Sequence, residues 1–98
     1  MNKELGEHIQ RQVVDGLGMP LDRWIYRNCI AHFGTGLAWA TLYDIKTEPG
    51  FENQGMATHL LTIAKHYYER RGMEFGGTVA LSPAMAHLYN KLGIKEYK

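Results

Sequence analysis

Hydrophobic residues near the start of the chain recur at a spacing of four. These residues are Leu5, Ile9, Val13 and Leu17. Because residues four apart lie on one side of a helix, the spacing predicts an amphipathic helix over about residues 3–15. Glycines at positions 16 and 18 and a proline at position 20 are expected to end that helix.

Two runs rich in β-branched and aromatic residues follow, at residues 24–33 and 37–47. The short break Gly34-Thr35-Gly36 separates them. Runs of this composition joined by a glycine-containing break are typical of an antiparallel hairpin. The second run is expected to end at Pro49-Gly50.

A second helical pattern begins after Gly55 and is expected to end at Gly72. Five residues make its predicted buried face: Leu60, Leu61, Ala64, Tyr67 and Tyr68. The short apolar run at residues 78–81 then predicts a buried strand. The glycine pair before that run, at positions 76 and 77, is expected to form a bulge or a loop.

Ser82 and Pro83 predict the start of a further helix, because serine caps a helix and proline fits its first position. Gly93 is expected to end that helix, and residues 94–97 are expected to begin a last strand. The predicted order is therefore α-β-β-α-β-α with a further strand stub. An antiparallel hairpin that leads into a β-α-β crossover makes a mixed sheet with helices packed on it.

Length and composition indicate a single domain over residues 1–98. Hydrophobic residues make up 45% of the chain and charged residues 21%, as in an ordinary globular domain. Lysine and arginine total 11, aspartate and glutamate total 10, and the formal net charge is +1. This balance does not favour a nucleic-acid partner.

Other classes of protein are disfavoured by simple features. No apolar run approaches the roughly 20 residues that span a bilayer, so we expect no membrane partner. Cys29 is the single cysteine and has no partner for an internal disulfide, which fits a reducing cytoplasm. None of the five histidines pairs with another histidine or the cysteine at metal-ligand spacing, so we expect no metal site.

The loop before the long helix has features of an anion site. The first amides of a helix have no partner within it, and their dipoles favour negative charge. Gly55 leaves room for a phosphate, Ala57 is the next smallest choice, and Thr58 can donate a hydroxyl. The alternative is that Gly55 only permits a tight turn into an ordinary helix.

Two segments resemble the GNAT superfamily of N-acetyltransferases. Residues 45–61 resemble its central motif, which is a strand ending in proline, an Arg/Gln-x-x-Gly-x-Gly/Ala loop and a helix opening with paired leucines. Pro49, Gly55, Ala57 and the pair Leu60-Leu61 fall on those positions. Residues 82–95 resemble the family's Asn-x-x-Ala-x-x-Leu-Tyr-x-Lys-x-Gly-Phe segment.

The resemblance implies a GNAT-like acyl-CoA acyltransferase fold of the α/β (α+β) class, with a mixed, mainly antiparallel sheet and helices on both faces. It implies acetyl-CoA as cofactor and direct acetyl transfer to an amine, either a protein lysine or N-terminus or a small-molecule amine. The implied cofactor-binding residues are Ile45, Lys46, Thr47, Gln54, Gly55, Met56, Ala57, Thr58, Ser82 and Tyr89.

Three residues are candidate catalytic groups. By the resemblance, Tyr89 would lie near the cofactor sulfur, where a phenol can donate a proton to the departing thiolate. Asp44 or Glu48 would take a proton from the incoming amine, directly or through water. The plainer interpretation makes Tyr89 a core aromatic and the two carboxylates solvated surface groups.

Departures from the family pattern leave alternatives open. Glu52 stands where Arg or Gln is usual, Ser82 replaces Asn, and Ile94 replaces Phe. Much of the family's N-terminal helical region and its last strands has no counterpart. A non-catalytic protein-interaction module, a homodimer whose second copy completes the site, and another type of nucleotide-binding domain are the alternatives. Some very small family members carried by phages or mobile elements modify host proteins, and this size is compatible with that.

Overall fold

The computed structural model of the chain describes residues 6–16, 18–51 and 55–96. Over these residues it contains six strands and two helices, numbered here in chain order. They are β1 (Ile9–Gly16), β2 (Met19–Tyr26), β3 (Cys29–Thr35), β4 (Trp39–Thr47), α1 (Met56–Glu69), β5 (Glu74–Gly77), α2 (Pro83–Leu92) and β6 (Lys95–Glu96).

All six strands form one sheet, in the order in which they occur in the sequence. The first four strands make an antiparallel meander. β5 lies parallel to β4, and β6 lies parallel to β5. Parallel neighbours need a crossover connection, and α1 and α2 supply the two crossovers.

The helix predicted over residues 3–15 is wrong where the structure describes that segment. Ile9–Gly16 is β1, which pairs along its whole length with β2. A spacing of four places residues on one face of a helix, but it also places them on one face of a strand, because strand side chains alternate. Leu5 and Leu17, which completed the predicted stripe, lie outside the described residues.

The run at residues 24–33 is two strands rather than one. Tyr26 pairs with Cys29, so Arg27 and Asn28 form a two-residue turn between β2 and β3. Arg27 has a φ of 54°, in the left-handed region that glycine usually occupies. The turn escaped prediction because the sequence has no glycine or proline at that point.

The strand predicted at residues 78–81 is also misplaced. The strand is β5, and it includes Gly76 and Gly77, which were expected to form a bulge or a loop. β5 pairs with the first half of β4. Gly77 suits this position because a Cβ there would overlap the hydroxyl and ring of Tyr89.

The other two helix predictions are confirmed. α1 buries the predicted face, which is Leu60, Leu61, Ala64, Tyr67 and Tyr68. At the start of α2 the Ser82 hydroxyl oxygen accepts a hydrogen bond from the Met85 amide at 3.2 Å, and Gly93 ends the helix with a φ of 67°. Within the described part of the chain, neither helix has the length and apolarity that a membrane crossing requires.

The predicted fold class is wrong in its arrangement of helices. Tyr68 of α1 stacks on Phe75 of β5, with ring centroids 6.2 Å apart, and Tyr89 of α2 lies against Gly77. Phe75 and Gly77 are two residues apart in one strand, so both helices pack on the same face of the sheet. A molecule that is mostly sheet differs from the expected GNAT-like fold with helices on both faces.

The physical reason lies at the N-terminal end. The segment that was expected to form an additional helix is used as β1, where it extends the sheet by one strand. We call the side covered by α1 and α2 the helix face and the opposite side the open face.

The core lies between the helix face and α1. Trp24, Phe33 and Tyr68 are among its largest fully buried side chains. The Trp24 indole N–H donates to the Tyr68 hydroxyl at 3.0 Å, which donates in turn to Asp22. Arg11 also pairs with Asp22 at 3.2 Å. This chain of bonds lets a carboxylate lie in the core without an unpaired charge.

Candidate functional site

The sheet opens along the second half of β4. β5 pairs with β4 only from Trp39 to Leu42, and the Thr78 amide makes the last contact by donating to the Leu42 carbonyl at 3.0 Å. Residues 43–47 have no strand partner on that side among the described residues. Tyr43 is an unpaired extra residue at a register shift with β3, and a bulge of this kind bends a strand. β4 therefore offers an open edge of backbone donors and acceptors.

A groove of about 420 Å³ lies beside this open edge, between β4, the first turn of α1 and α2. Seven of the predicted cofactor residues line it: Ile45, Thr47, Gly55, Met56, Ala57, Thr58 and Ser82. The structure thus brings two separate sequence motifs to one site. Lys46 is not part of the groove lining, and Gln54 and Glu52 lie outside the described residues.

The start of α1 is open toward the groove. Gly55 is the N-cap with a φ of 77°, and no side chain caps this end. The first bond within the helix joins the His59 amide to the Gly55 carbonyl at 3.0 Å, so the three preceding amides have no helical partner. A Cβ built on Gly55 meets no heavy atom within 4 Å. Amides without a helical partner, next to open space among the described residues, favour a bound anion.

Tyr89 lies behind the groove rather than in its lining. The residue is 6% exposed, and its hydroxyl donates to the Thr78 carbonyl at 2.9 Å. Burial raises the pKa of Tyr89, the bond to Thr78 lowers it, and the Glu96 carboxylate raises it further. The phenol is therefore protonated at neutral pH, with its proton already directed at Thr78.

A second cavity, of about 680 Å³, lies on the open face. We call it the open-face cavity. The predicted residues Asp44, Lys46 and Glu48 line it. Three residues line both this cavity and the groove: Ile45, Ser82 and Met85. The groove and the open-face cavity are therefore two sides of one cleft that passes the open edge of β4.

Asp44 belongs to a chain of hydrogen bonds on the open face. His32 Nδ1 lies 2.8 Å from Asp44 Oδ1, and Arg23 Nε donates to His32 Nε2 at 3.1 Å. Because arginine nitrogens only donate, His32 Nε2 accepts, and the ring proton lies on Nδ1 and is donated to Asp44. Asp44 is thus held in one orientation although its side chain is 59% exposed.

Glu48 links β4 to the turn between β2 and β3. Its Oε2 accepts a hydrogen bond from Asn28 Nδ2 at 2.6 Å. Its backbone amide donates to the Asn28 carbonyl at 2.8 Å. These bonds fix the turn at the margin of the open-face cavity, where Arg27 joins the lining. Of the two predicted bases, Asp44 is oriented by its hydrogen bond to His32. Glu48 instead stabilises the turn through its hydrogen bonds to Asn28.

Several cleft residues were missed in the sequence. Arg27 and His32 line the open-face cavity, Lys91 of α2 lines the groove, and Arg23 of β2 supports His32 from outside the two linings. For Arg23 and His32, the alternation of side chains along a strand was a signal that the sequence contained. Splitting residues 24–33 at the turn places Arg23 opposite His32, and the hairpin places His32 opposite Asp44.

Comparison of the chain with protein-family models, with curated proteins and with solved structures gives no significant match. The likeness to the GNAT superfamily therefore stays a resemblance between sequence patterns at residues 45–61 and 82–95.

Proposed function

We propose that this protein is an acetyl-CoA-dependent N-acetyltransferase, which binds its cofactor in the groove and receives an amine through the open-face cavity. One observation carries the proposal: the open edge of β4 and the uncapped start of α1 border the same groove. An extended molecule with a diphosphate suits that pair, because strand edges bind extended chains and helix amides bind phosphate oxygens.

The groove matches different parts of acetyl-CoA at its two ends. The amides of Met56, Ala57 and Thr58 would bind the pyrophosphate at the start of α1. Lys91, which also lines the groove, adds a positive charge that favours phosphate. The pantetheine arm would lie along residues 43–47, with its amides paired to the backbone of Ile45 and Thr47. That orientation brings the thioester toward the divergence of β4 and β5.

The chemistry we propose is direct transfer through the cleft. The amine nitrogen forms a bond to the thioester carbonyl carbon, and the carbon–sulfur bond then breaks to release the CoA thiolate. Asp44 accepts the proton that the nitrogen loses, directly or through water. Tyr89 donates a proton to the thiolate, for which its hydroxyl must leave the Thr78 carbonyl.

Titration calorimetry with acetyl-CoA tests the cofactor site through a matched pair of variants, Gly55→Asn and Gly72→Asn. The two glycines lie at opposite ends of α1 with φ values of 77° and 74°, and a Cβ at either position meets open space. Asparagine tolerates this conformation. We expect Gly72→Asn to bind like the wild type and Gly55→Asn to bind at least about tenfold more weakly, a loss of about 1.4 kcal/mol.

Two results would contradict the cofactor site. One is the absence of heat from the wild type at millimolar acetyl-CoA. The other is equal affinity of both variants, which would show that the start of α1 does not touch the cofactor. Acetyl transfer is then tested by mass spectrometry of proteins and amines incubated with this chain and isotope-labelled acetyl-CoA.

The hydrogen bonds of the proposed catalytic groups favour a second candidate function, that of a non-catalytic interaction module. The Tyr89 hydroxyl is directed at Thr78, and Asp44 is bonded to His32. These bonds suit a protein-interaction module that binds the cofactor without chemistry. Acetyl-CoA binding with no acetylated product would select this function. We place either function in the cytoplasm, because Cys29 is a free, buried thiol and reducing compartments maintain that form.

A further inference from the structure

We propose that the open-face cavity binds a carboxylate through Arg27 and Lys46, so that the amine acceptor carries a carboxylate near its nitrogen. The open-face cavity by itself supplies the carboxylate site. Its use for an acceptor rests on the proposed acetyl transfer.

Arg27 occupies a conformation that does not suit an arginine. Its φ of 54° lies in the left-handed region, and the two non-glycine residues of the described chain with positive φ are His8 and Arg27. Glycine would fill the first position of this two-residue turn without strain. A strained residue kept where glycine fits better points to a function for its side chain. Arg27 is one of the residues that line the open-face cavity.

The turn that carries Arg27 is held firmly. Glu48 bonds to both the side chain and the backbone carbonyl of Asn28. The Arg27 guanidinium carbon lies 5.4 Å from the centroid of the Tyr26 ring, within the range of a cation–π contact. A planar group supported in this way is suited to paired hydrogen bonds with a carboxylate.

Charge pairing in the cavity leaves its cations available. Asp44 and Glu48 each accept a hydrogen bond from a neighbouring side chain, His32 and Asn28 respectively. Among the described residues, no carboxylate lies within ion-pair distance of Arg27 or Lys46. Lys46 lies on the same open face as Asp44, two residues along β4. The cavity therefore has two cations without an ion-pair partner, which suit an anion, and two carboxylates, of which the oriented Asp44 suits an amine.

This distribution defines a class of acceptor. The amine would lie near Asp44 and the residues that join the two cavities, and the carboxylate would lie nearer Arg27. A free α-amino acid carries both groups. A peptide whose amino-terminal residue is followed by an acidic residue also carries both. The shared chemistry is an amine with a nearby carboxylate, and the experiment separates the two sources.

The test measures binding by NMR titration, with and without saturating acetyl-CoA. The first pair of ligands is alanine and alaninamide, and the second is the amidated peptides Ala-Asp-Ala and Ala-Asn-Ala. We expect the carboxylate member of at least one pair to bind about tenfold or more tightly than its neutral partner. Preference in the first pair identifies a free amino acid, and preference in the second pair alone identifies a peptide.

Three variants assign the preference to this site. Arg27→Gly removes the guanidinium while relieving the backbone, so its resistance to urea should match or exceed that of the wild type. We expect both Arg27→Gly and Lys46→Gln to lose the preference for the ligand that carries a carboxylate. Lys95→Gln, a cation of β6 outside both cavities, should keep it.

Equal binding within both ligand pairs, or a full preference retained in Arg27→Gly, would overturn the carboxylate site. A separate result tests the proposed acetyl transfer. If the same samples do not bind acetyl-CoA, that proposal is contradicted. A carboxylate preference that persists without any acetyl-CoA binding would support the site and remove its role as an acceptor site.

Discussion

The helix face and the open face are built from alternating residues of the same strands, yet they differ in kind. On the helix face Trp24 is fully buried and meets the Phe33 and Tyr68 rings at centroid distances of 6.3 and 5.9 Å. On the open face Trp39 is 41% exposed, and the organised contacts are the polar ones of His32. The packing on the helix face provides most of the stability of the fold. Polar functional groups on the open face therefore lower that stability little.

The largest difference between the two faces is expected when one tryptophan is removed from each. Trp24→Ala should lower the free energy of unfolding by about 3–5 kcal/mol. The change leaves a large cavity, and the buried Tyr68 hydroxyl loses the indole N–H that donates to it. Trp39→Ala should cost about 1 kcal/mol or less, as surface substitutions usually do. Urea unfolding followed by circular dichroism measures both.

Equal losses for the two tryptophan variants would contradict the assignment of stability to the helix face. A large loss from Trp39→Ala would mean that the open face is covered in solution, for example by a second copy of the chain. Sedimentation of the wild type at several concentrations would then identify that copy.

A smaller effect is expected from adding one methyl group to each face. A Cβ at Gly77 would overlap Tyr89, and a Cβ at Gly34 would overlap Tyr43. Tyr89 is 6% exposed and packs in the core, so Gly77→Ala should destabilise by about 1–3 kcal/mol. Tyr43 borders the open face and can turn into solvent, so Gly34→Ala should cost less than about 1 kcal/mol.

Thermal and urea unfolding of the two alanine variants checks this difference. The reverse order, with Gly34→Ala the more damaging, would mean that Tyr43 is held as tightly as Tyr89. It would also weaken the view that the open face has free volume at the bulge of β4.

The smallest expected effect is a dependence of stability on alkaline pH. Burial raises the pKa of Tyr68, and its hydrogen bond to Asp22 raises it further. Burial also raises the pKa of Tyr89. In the unfolded chain both phenols ionise at about pH 10. The unfolded state then loses protons that the folded state keeps, so their contribution to stability is present below about pH 10 and falls above it.

Each buried tyrosine can contribute a slope of at most about 1.4 kcal/mol per pH unit. Urea unfolding between about pH 8 and about pH 11 should show the decline, and Tyr68→Phe should reduce its slope. A slope unchanged in that variant would mean that the Tyr68 hydroxyl is not a buried group of the helix face.

Sequence reasoning predicted the elements that depend on near neighbours in the chain. α1 and α2 were found because a helix periodicity coincides with end signals at Gly55, Ser82 and Gly93. β1 was mistaken for a helix because Ile9 and Val13 share a face under either periodicity. The turn at Arg27 was missed because it uses an arginine where a glycine signal was expected.

The candidate site was predictable in part for the same reason. Gly55 and Ser82 stand in recognisable local motifs, and both line the groove. The chain of Arg23, His32 and Asp44 was missed, because aligning its three strands requires the turn at Arg27, which local signals did not indicate, and the register of the meander. A one-residue change in register would send these side chains to the opposite face.

Local sequence patterns were enough to place both helices, β4 and the short β6, because backbone hydrogen bonding, caps and side-chain periodicity act over a few residues. Only the tertiary structure decided that both helices pack on one face, that β4 separates from β5 after Leu42, and that Tyr89 points to Thr78. Those features depend on how distant segments fill a shared core, and no local pattern encodes which side of a sheet a crossover will cover.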